Sequence, residues 1–363
     1  MIKVNKSFWC NKKVLITGHT GFKGSWLCLW LHQLGAKVTG FALKPPTEPN
    51  LFHLSSLENL VHSVYGDIRN FDLLYETIVQ TDPDIIFHMA AQPLVGHSYE
   101  NPVETYEINV MGTTYLLEAV KKAVNNGKRI KALVNVTTDK CYENKEWHWG
   151  YRENDRLGGY DPYSISKACS ELITDSYRKA FFNPNTYDQH GVGIATARAG
   201  NVIGGGDWAA GRLIPDCTQA LLNGKKIVIR NPKSIRPWQH VLEPLYGYLL
   251  LAEKLYLNGT EYAEAWNFGP KDDDAKPVEW IVQRICEKWG GQTYYELDSR
   301  NHPHEASYLK LDYSKAKEEL KWSPKWTLDQ AIDKVIEWVR AYSEKSDIRE
   351  VCFKQIKEFS QLK

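Results

Sequence analysis

A chain of 363 residues and 41.7 kDa is long enough for about two domains of ordinary size, which excludes a disulfide-stapled miniprotein. With 43% hydrophobic and 25% charged residues its composition is globular, neither disordered nor fibrous. The balance of 45 Lys+Arg against 44 Asp+Glu leaves no global field for holding nucleic acid, so an anionic ligand has to be met by local charge. The first residues carry no long apolar run. The longest apolar stretches, 26–31 and 249–252, fall far short of the roughly 20 residues that span a bilayer, so no membrane partner is expected. Seven cysteines form neither a CxxC pair nor a dense pattern, which points to reduced thiols in a cytoplasm. Short apolar runs at 14–17, 37–43, 85–90 and 132–138 read as buried parallel strands. Stretches at 25–34, 70–81, 104–123 and 162–180 read as helices, and the alternation predicts an α/β fold with a doubly wound parallel sheet.

The first strand runs into Thr17-Gly18-His19-Thr20-Gly21-Phe22-Lys23-Gly24 and a helix follows at once, the context that a dinucleotide-binding loop needs. Gly18 permits the tight turn, Gly21 lets a pyrophosphate approach the backbone, and Gly24 lets helix and strand pack closely. This GxxGxxG spacing, with its Thr-Gly start, resembles the extended short-chain dehydrogenase/reductase family. The resemblance implies a Rossmann-like first domain and gives roles to two further segments. In Gly66-Asp67-Ile68-Arg69, Asp67 is expected at the adenine amine and Ile68 on its ring. In His88-Met89-Ala90-Ala91-Gln92-Pro93, the small Ala90 and Ala91, followed by Gln92, are expected to lie against the cofactor. One departure is the second strand's end, Gly40-Phe41-Ala42-Leu43-Lys44, which lacks the acidic residue that usually bonds the ribose 2′-hydroxyl. Lys44 suits either a 2′-phosphate or bare solvent, and NAD is expected on the resemblance.

The segment Thr137-Thr138-Asp139-Lys140-Cys141 closes the fourth predicted strand, at the sheet edge where doubly wound folds hold ligands. Thr138 is placed to bond a substrate hydroxyl. Asp139 and Lys140 add one potential acid and one potential base, which oxidation at a single carbon does not need. Downstream, Asp161-Pro162-Tyr163-Ser164-Ile165-Ser166-Lys167 opens a helix, with Asp161 as N-cap and Pro162 at its first position. Tyr163 and Lys167, four apart, share a helical face, where the ammonium can stabilise a phenolate and bring the tyrosine toward neutrality as a base for a hydroxyl proton.

In the family's sugar-nucleotide 4,6-dehydratases the acid and base after the threonine are usually Asp and Glu, whereas here Lys140 stands in the second place. That change, with 200–208 (Gly-Asn-Val-Ile-Gly-Gly-Gly-Asp-Trp) and 236–241 (Arg-Pro-Trp-Gln-His-Val), resembles one branch of those dehydratases, over residues 13 to 326. The resemblance implies NAD as cofactor, CDP-glucose as the small-molecule partner, a homodimer formed through the helices at 104–123 and 162–180, and a diphosphate contact from Asn201. Arg212 and Arg236 are the candidates for clamping the diphosphate, because a guanidinium fork suits phosphate oxygens. His240 and, near the nucleotide end, His304 complete the expected substrate side. His302 and His304 have no third ligand at usable spacing, so no metal is expected. The expected division is 1–197 for the dinucleotide and 198–363 mainly for the sugar nucleotide, with segments near 230–245 and 262–270 returning to the first domain. The lysine-rich tail after Ser343 reads as a solvated helix. Two other readings share much of this pattern: a sugar-nucleotide 4-epimerase, and a dinucleotide sensor without catalysis.

Overall fold

The computed structural model describes residues 3–290, 294–298 and 307–362, and its centre is one sheet of seven parallel strands. They are β1 (Lys13–Thr17), β2 (Lys37–Ala42), β3 (His62–Tyr65), β4 (Ile85–His88), β5 (Ala132–Val136), β6 (Gly193–Ala199) and β7 (Ala265–Phe268). Their order across the sheet is β7-β6-β5-β4-β1-β2-β3, the doubly wound order expected from the alternation of strand and helix. The order reverses between β1 and β4, which opens a crevice at their carboxyl ends.

Side chains alternate across the strands and divide the core in two. Val14, Ile16, Ile85, Phe87, Ala132 and Val134 face one layer with the helices Phe22–Gln33 and Leu242–Leu257. Leu15, Ile86 and Leu133 face the other, with the helices Phe71–Thr81 and Gly112–Asn125. At roughly 1.5–3 kcal/mol per fully buried large apolar side chain, these two layers drive the assembly. Among the described residues no helix is long and apolar enough to cross a membrane.

Several elements depart from the sequence reading. The helix expected at 104–123 begins at Pro102, where a missing N–H costs nothing, and a π-turn at Glu107–Met111 interrupts it before Gly112. β3 is polar and half exposed at its sheet edge, so it carries no apolar run to find. β6 runs from Gly193 to Ala199, outside the four apolar runs read as strands. The boundary placed at 197 therefore cuts a central strand. The tail is no free helix either: Ile348–Gln361 buries Cys352, Ile356 and Phe359, and Phe359 meets Trp30 edge-on at 5.7 Å. Its lysines line the outer face while its apolar stripe seals the Phe22–Gln33 helix.

Candidate active site

The loop after β1 turns at Gly18 with φ +77°, and a Cβ there would lie 2.7 Å from Ala90 N. Gly24 is as constrained, since its Cβ would fall 2.3 Å from Gly18 O. Gly21 is different: its Cβ would meet protein no closer than 3.4 Å, so this chain does not itself demand a glycine there. Gly21 is also the N-cap of the Phe22–Gln33 helix, with no side chain accepting from the free N–H groups and no acidic residue in the first turn. An open glycine beneath unsatisfied N–H groups fits a pyrophosphate. Thr20 donates to Leu43 O at 2.8 Å, and the buried His19 ring contacts Ser63 Oγ at 2.9 Å, fixing the loop to β2 and β3. Phe22 is half-buried at the start of the helix. We expect Gly18→Ala to weaken dinucleotide binding about tenfold or more, because strain of about 1–3 kcal/mol at this φ cannot relax against the Met89–Ala90 backbone. Calorimetric titration checks this, and unchanged affinity refutes it.

Lys23 points away from the loop toward the catalytic side, with Nζ 3.5 Å from Tyr248 Oη. Burial pulls its amine down to about 7, helped by Arg212 and Lys167 and opposed by Asp139. Asp67 is held in a two-pronged pair with Arg69 at 2.7 and 3.0 Å, which lowers its carboxyl. Ile68 is 5% exposed and belongs to the core rather than to an open ring face. Ala90 and Ala91 are half-buried, and Ala90 N donates to Thr17 Oγ1 at 3.1 Å. Gln92 is spoken for on both sides, giving to Thr105 Oγ1 at 2.9 Å and accepting from Leu94 N at 2.6 Å.

Beyond β5 the chain brings Thr138, Asp139, Lys140, Tyr163 and Lys167 together. Asp139 is fully buried; its Oδ1 accepts from Thr138 Oγ1 at 2.9 Å and from Lys140 Nζ at 3.3 Å, while Oδ2 has no partner. Lys140 Nζ also donates to Asn201 Oδ1 at 3.4 Å. The Tyr163 hydroxyl is bonded to Thr138, but burial still pushes the phenol up to about 12. The expected pull toward neutrality by Lys167 is not seen. The Lys167 amine instead donates to Val136 O at 3.4 Å, and burial pulls it down to about 8. One of its three N–H donors is therefore directed at a backbone carbonyl.

On the substrate side, Arg212 caps the helix Leu213–Leu222 and pairs with Asp207 at 3.0 Å, and its charge acts on both Lys23 and Tyr163. Arg236, on the short strand Ile235–Pro237, is buried and donates to Ile235 O at 3.1 Å. His240 has to be corrected: it is fully buried with its ring edge against Trp26 and Trp326, at 6.0 and 4.8 Å, and burial makes it a neutral core residue with no face for a ligand. His304 lies outside the described residues. Among the described residues no group of three or more His, Cys, Asp or Glu could hold a metal ion.

Sequence reasoning missed Asn109, which the π-turn aims at the site: it donates to Gln92 O at 3.0 Å and to Ser166 Oγ at 2.9 Å. A π-turn leaves no mark in apolar periodicity. It also missed Tyr248 beside Lys23 and the buried Glu171, although Glu171 stands one further helical turn beyond Lys167.

The model of the family described as GDP-mannose 4,6 dehydratase matches residues 15–335. A CDP-glucose 4,6-dehydratase of Salmonella typhimurium is 55% identical over 352 residues, covering 97% of each chain. A dTDP-glucose 4,6-dehydratase of Xanthomonas campestris is 27% identical, over 89% of this chain and 92% of its own. Among solved structures, a dTDP-glucose 4,6-dehydratase of Bacillus anthracis in complex with NAD superposes with a TM-score of 0.74 at 26% identity, covering 93% of this chain and 99% of that one. A UDP-glucose 4-epimerase of Thermotoga maritima shares the fold with a TM-score of 0.75 at 21% identity, over 91% and 99% of the two chains.

Proposed function

Because this chain belongs to the GDP-mannose 4,6-dehydratase family, within the extended short-chain dehydrogenases/reductases, we propose that it converts CDP-glucose to CDP-4-keto-6-deoxyglucose. The reaction is that of a hydro-lyase using NAD catalytically. One observation carries this reading: the buried Asp139 carboxyl beside Tyr163, with one oxygen held by Thr138 and Lys140 and the other without a partner. When bound, NAD supplies a hydride acceptor for C4 and a hydride donor for C6. The 18–24 loop, Ala90, Ala91 and Lys167 are the residues that would hold it.

Tyr163 takes the proton of the C4 hydroxyl, with Thr138 steering the phenol and the sugar together. A carbonyl at C4 makes the C5 hydrogen acidic, and Lys140 is the group offered to remove it. Asp139 gives a proton to the departing C6 hydroxyl, so water leaves across C5–C6; C5 then regains a proton as C6 receives the hydride. Asn201, Arg212 and Arg236 are assigned to the diphosphate, where guanidinium forks match phosphate oxygens. A 4-epimerase shares the loop, Tyr163 and Lys167 but has no task for a carboxyl–lysine pair at 139 and 140. A dinucleotide sensor has no task for Tyr163, Lys167 and Asp139 together.

The test is incubation of the purified chain with CDP-glucose and trace NAD, in parallel with other nucleoside-diphosphate glucoses, with products read by mass and NMR. Loss of water from the CDP sugar alone is the expected result. An isomer of unchanged mass would make it an epimerase, and NAD binding without turnover of any of them would make it a sensor.

We also propose a homodimer formed through the segments 104–123 and 162–180, where Tyr106, Met111 and Leu172 expose between 37% and 56% of their surface. Sedimentation at low concentration should show twice the chain mass, and a stable monomer overturns this. The cytoplasmic assignment rests on seven cysteines that are all unpaired.

A further inference from the structure

Glu171 lies four residues after Lys167 on the helix Pro162–Ala180, on the same face and one turn deeper. It is 3% exposed, and no step above uses it. Its Oε2 accepts from Thr196 Oγ1 at 2.7 Å and from Arg198 Nη2 at 2.8 Å, and its Oε1 accepts from Thr137 Oγ1. Each partner belongs to an element that carries part of the site. Thr137 immediately precedes Thr138 and Asp139, Thr196 and Arg198 lie on the strand β6 that leads to Asn201, and Glu171 shares its helix with Tyr163 and Lys167.

The Lys167 amine has a neutral carbonyl, Val136 O, as its hydrogen-bond partner. The charged and titratable groups around it are Glu171 and Tyr163 on its own helix, Cys141 after β5, His88 on β4, and Lys23 on the helix Phe22–Gln33. Of these, Glu171 favours the cation most strongly. Burial alone pushes the Glu171 carboxyl up, but Arg198, Thr137 and Thr196 together draw it below its usual range, so it is ionised across neutral pH.

We propose that Glu171 is a positioning residue for the catalytic lysine: seated among Thr137, Thr196 and Arg198, its carboxylate keeps Lys167 a cation and ties the end of β5 to the helix that carries Tyr163. This rests on the roles given to Lys167 and Tyr163 above. It does not depend on which sugar nucleotide is turned over.

The test follows the titration of Lys167 directly. In the full chain labelled with carbon-13 lysine, the Lys167 side-chain signal is identified by its loss in Lys167→Met and followed against pH without substrate. Glu171→Gln should lower the midpoint by about one pH unit or more, and Glu171→Asp by less. Glu171→Gln leaves Arg198 buried without its carboxylate, so circular dichroism accompanies the titration. The double variant Glu171→Gln/Arg198→Gln, which keeps neither buried charge, should show a downward shift of smaller size, because the cation 2.8 Å from the carboxylate is removed with it. A merely structural role would reduce the melting temperature and leave the midpoint in place. An unmoved midpoint in either folded variant overturns the proposal.

Discussion

Tyr163→Phe is expected to lower kcat on CDP-glucose by roughly 100- to 10,000-fold, the range lost with a positioned acid or base. The substitution removes one oxygen from a side chain that is 8% exposed and leaves its ring volume in place, so the fold and the approach of both ligands should survive. Only the group that takes the C4 proton is gone. NAD affinity measured by calorimetry should change by no more than about twofold, since a lost uniform contact would move binding and a lost proton acceptor moves kcat. The pH dependence has a defined sign. With the phenol pushed up to about 12 by burial, the reactive phenolate is scarce at neutrality, and the rate should rise with pH until Lys167, pulled down to about 8, begins to lose its proton. A loss smaller than tenfold in Tyr163→Phe would mean that another group accepts the C4 proton.

The strands that the sequence made legible are those buried on both faces. In β4 and β5 every residue is buried, and each lies in a near-continuous apolar run interrupted only by His88 or Asn135. β3 was not legible because its residues are exposed or half-buried at the sheet edge, with no buried face to mark it. Tyr163 and Lys167 could be paired from spacing alone, as helix geometry fixes which side chains meet. The partners of those groups could not. Whether Lys167 faces the phenol or the Val136 carbonyl depends on where β5 ends beneath the helix, and spacing carries no such distance. His240 fails for a related reason. Its segment 236–241 carries the resemblance and so places it on the substrate side, but Trp26 and Trp326, far from it in sequence, close over its ring. Glu171 was within reach, since it extends the Tyr163–Lys167 face by one turn, yet its role depends on Thr196 and Arg198, on a strand outside the four apolar runs.

Asp139→Asn should uncouple the two halves of the reaction. Asparagine keeps the shape and can still accept from Thr138 and Lys140 through its carbonyl oxygen, so the site should stay assembled. What it cannot do is give a proton to the C6 hydroxyl, and the unpartnered Oδ2 is the atom exchanged for an amide nitrogen. Formation of the keto-deoxy product should fall by roughly 100- to 10,000-fold. Oxidation at C4 needs Tyr163 and the hydride acceptor that bound NAD would supply but not the Asp139 carboxyl, so in deuterated water the recovered CDP-glucose should carry deuterium at C5. Lys140→Met then asks who removes that hydrogen. The Lys140 amine sits between two oxygens, Asp139 Oδ1 at 3.3 Å and Asn201 Oδ1 at 3.4 Å, one residue from the acid and on the side of the site that Asn201 shares. If it is the base, exchange at C5 in the Asp139→Asn background should collapse when Lys140→Met is added. Exchange undiminished in the double variant would exclude that role and leave Lys140 as the charge that stabilises an enolate oxygen at C4, with a different group taking the C5 proton.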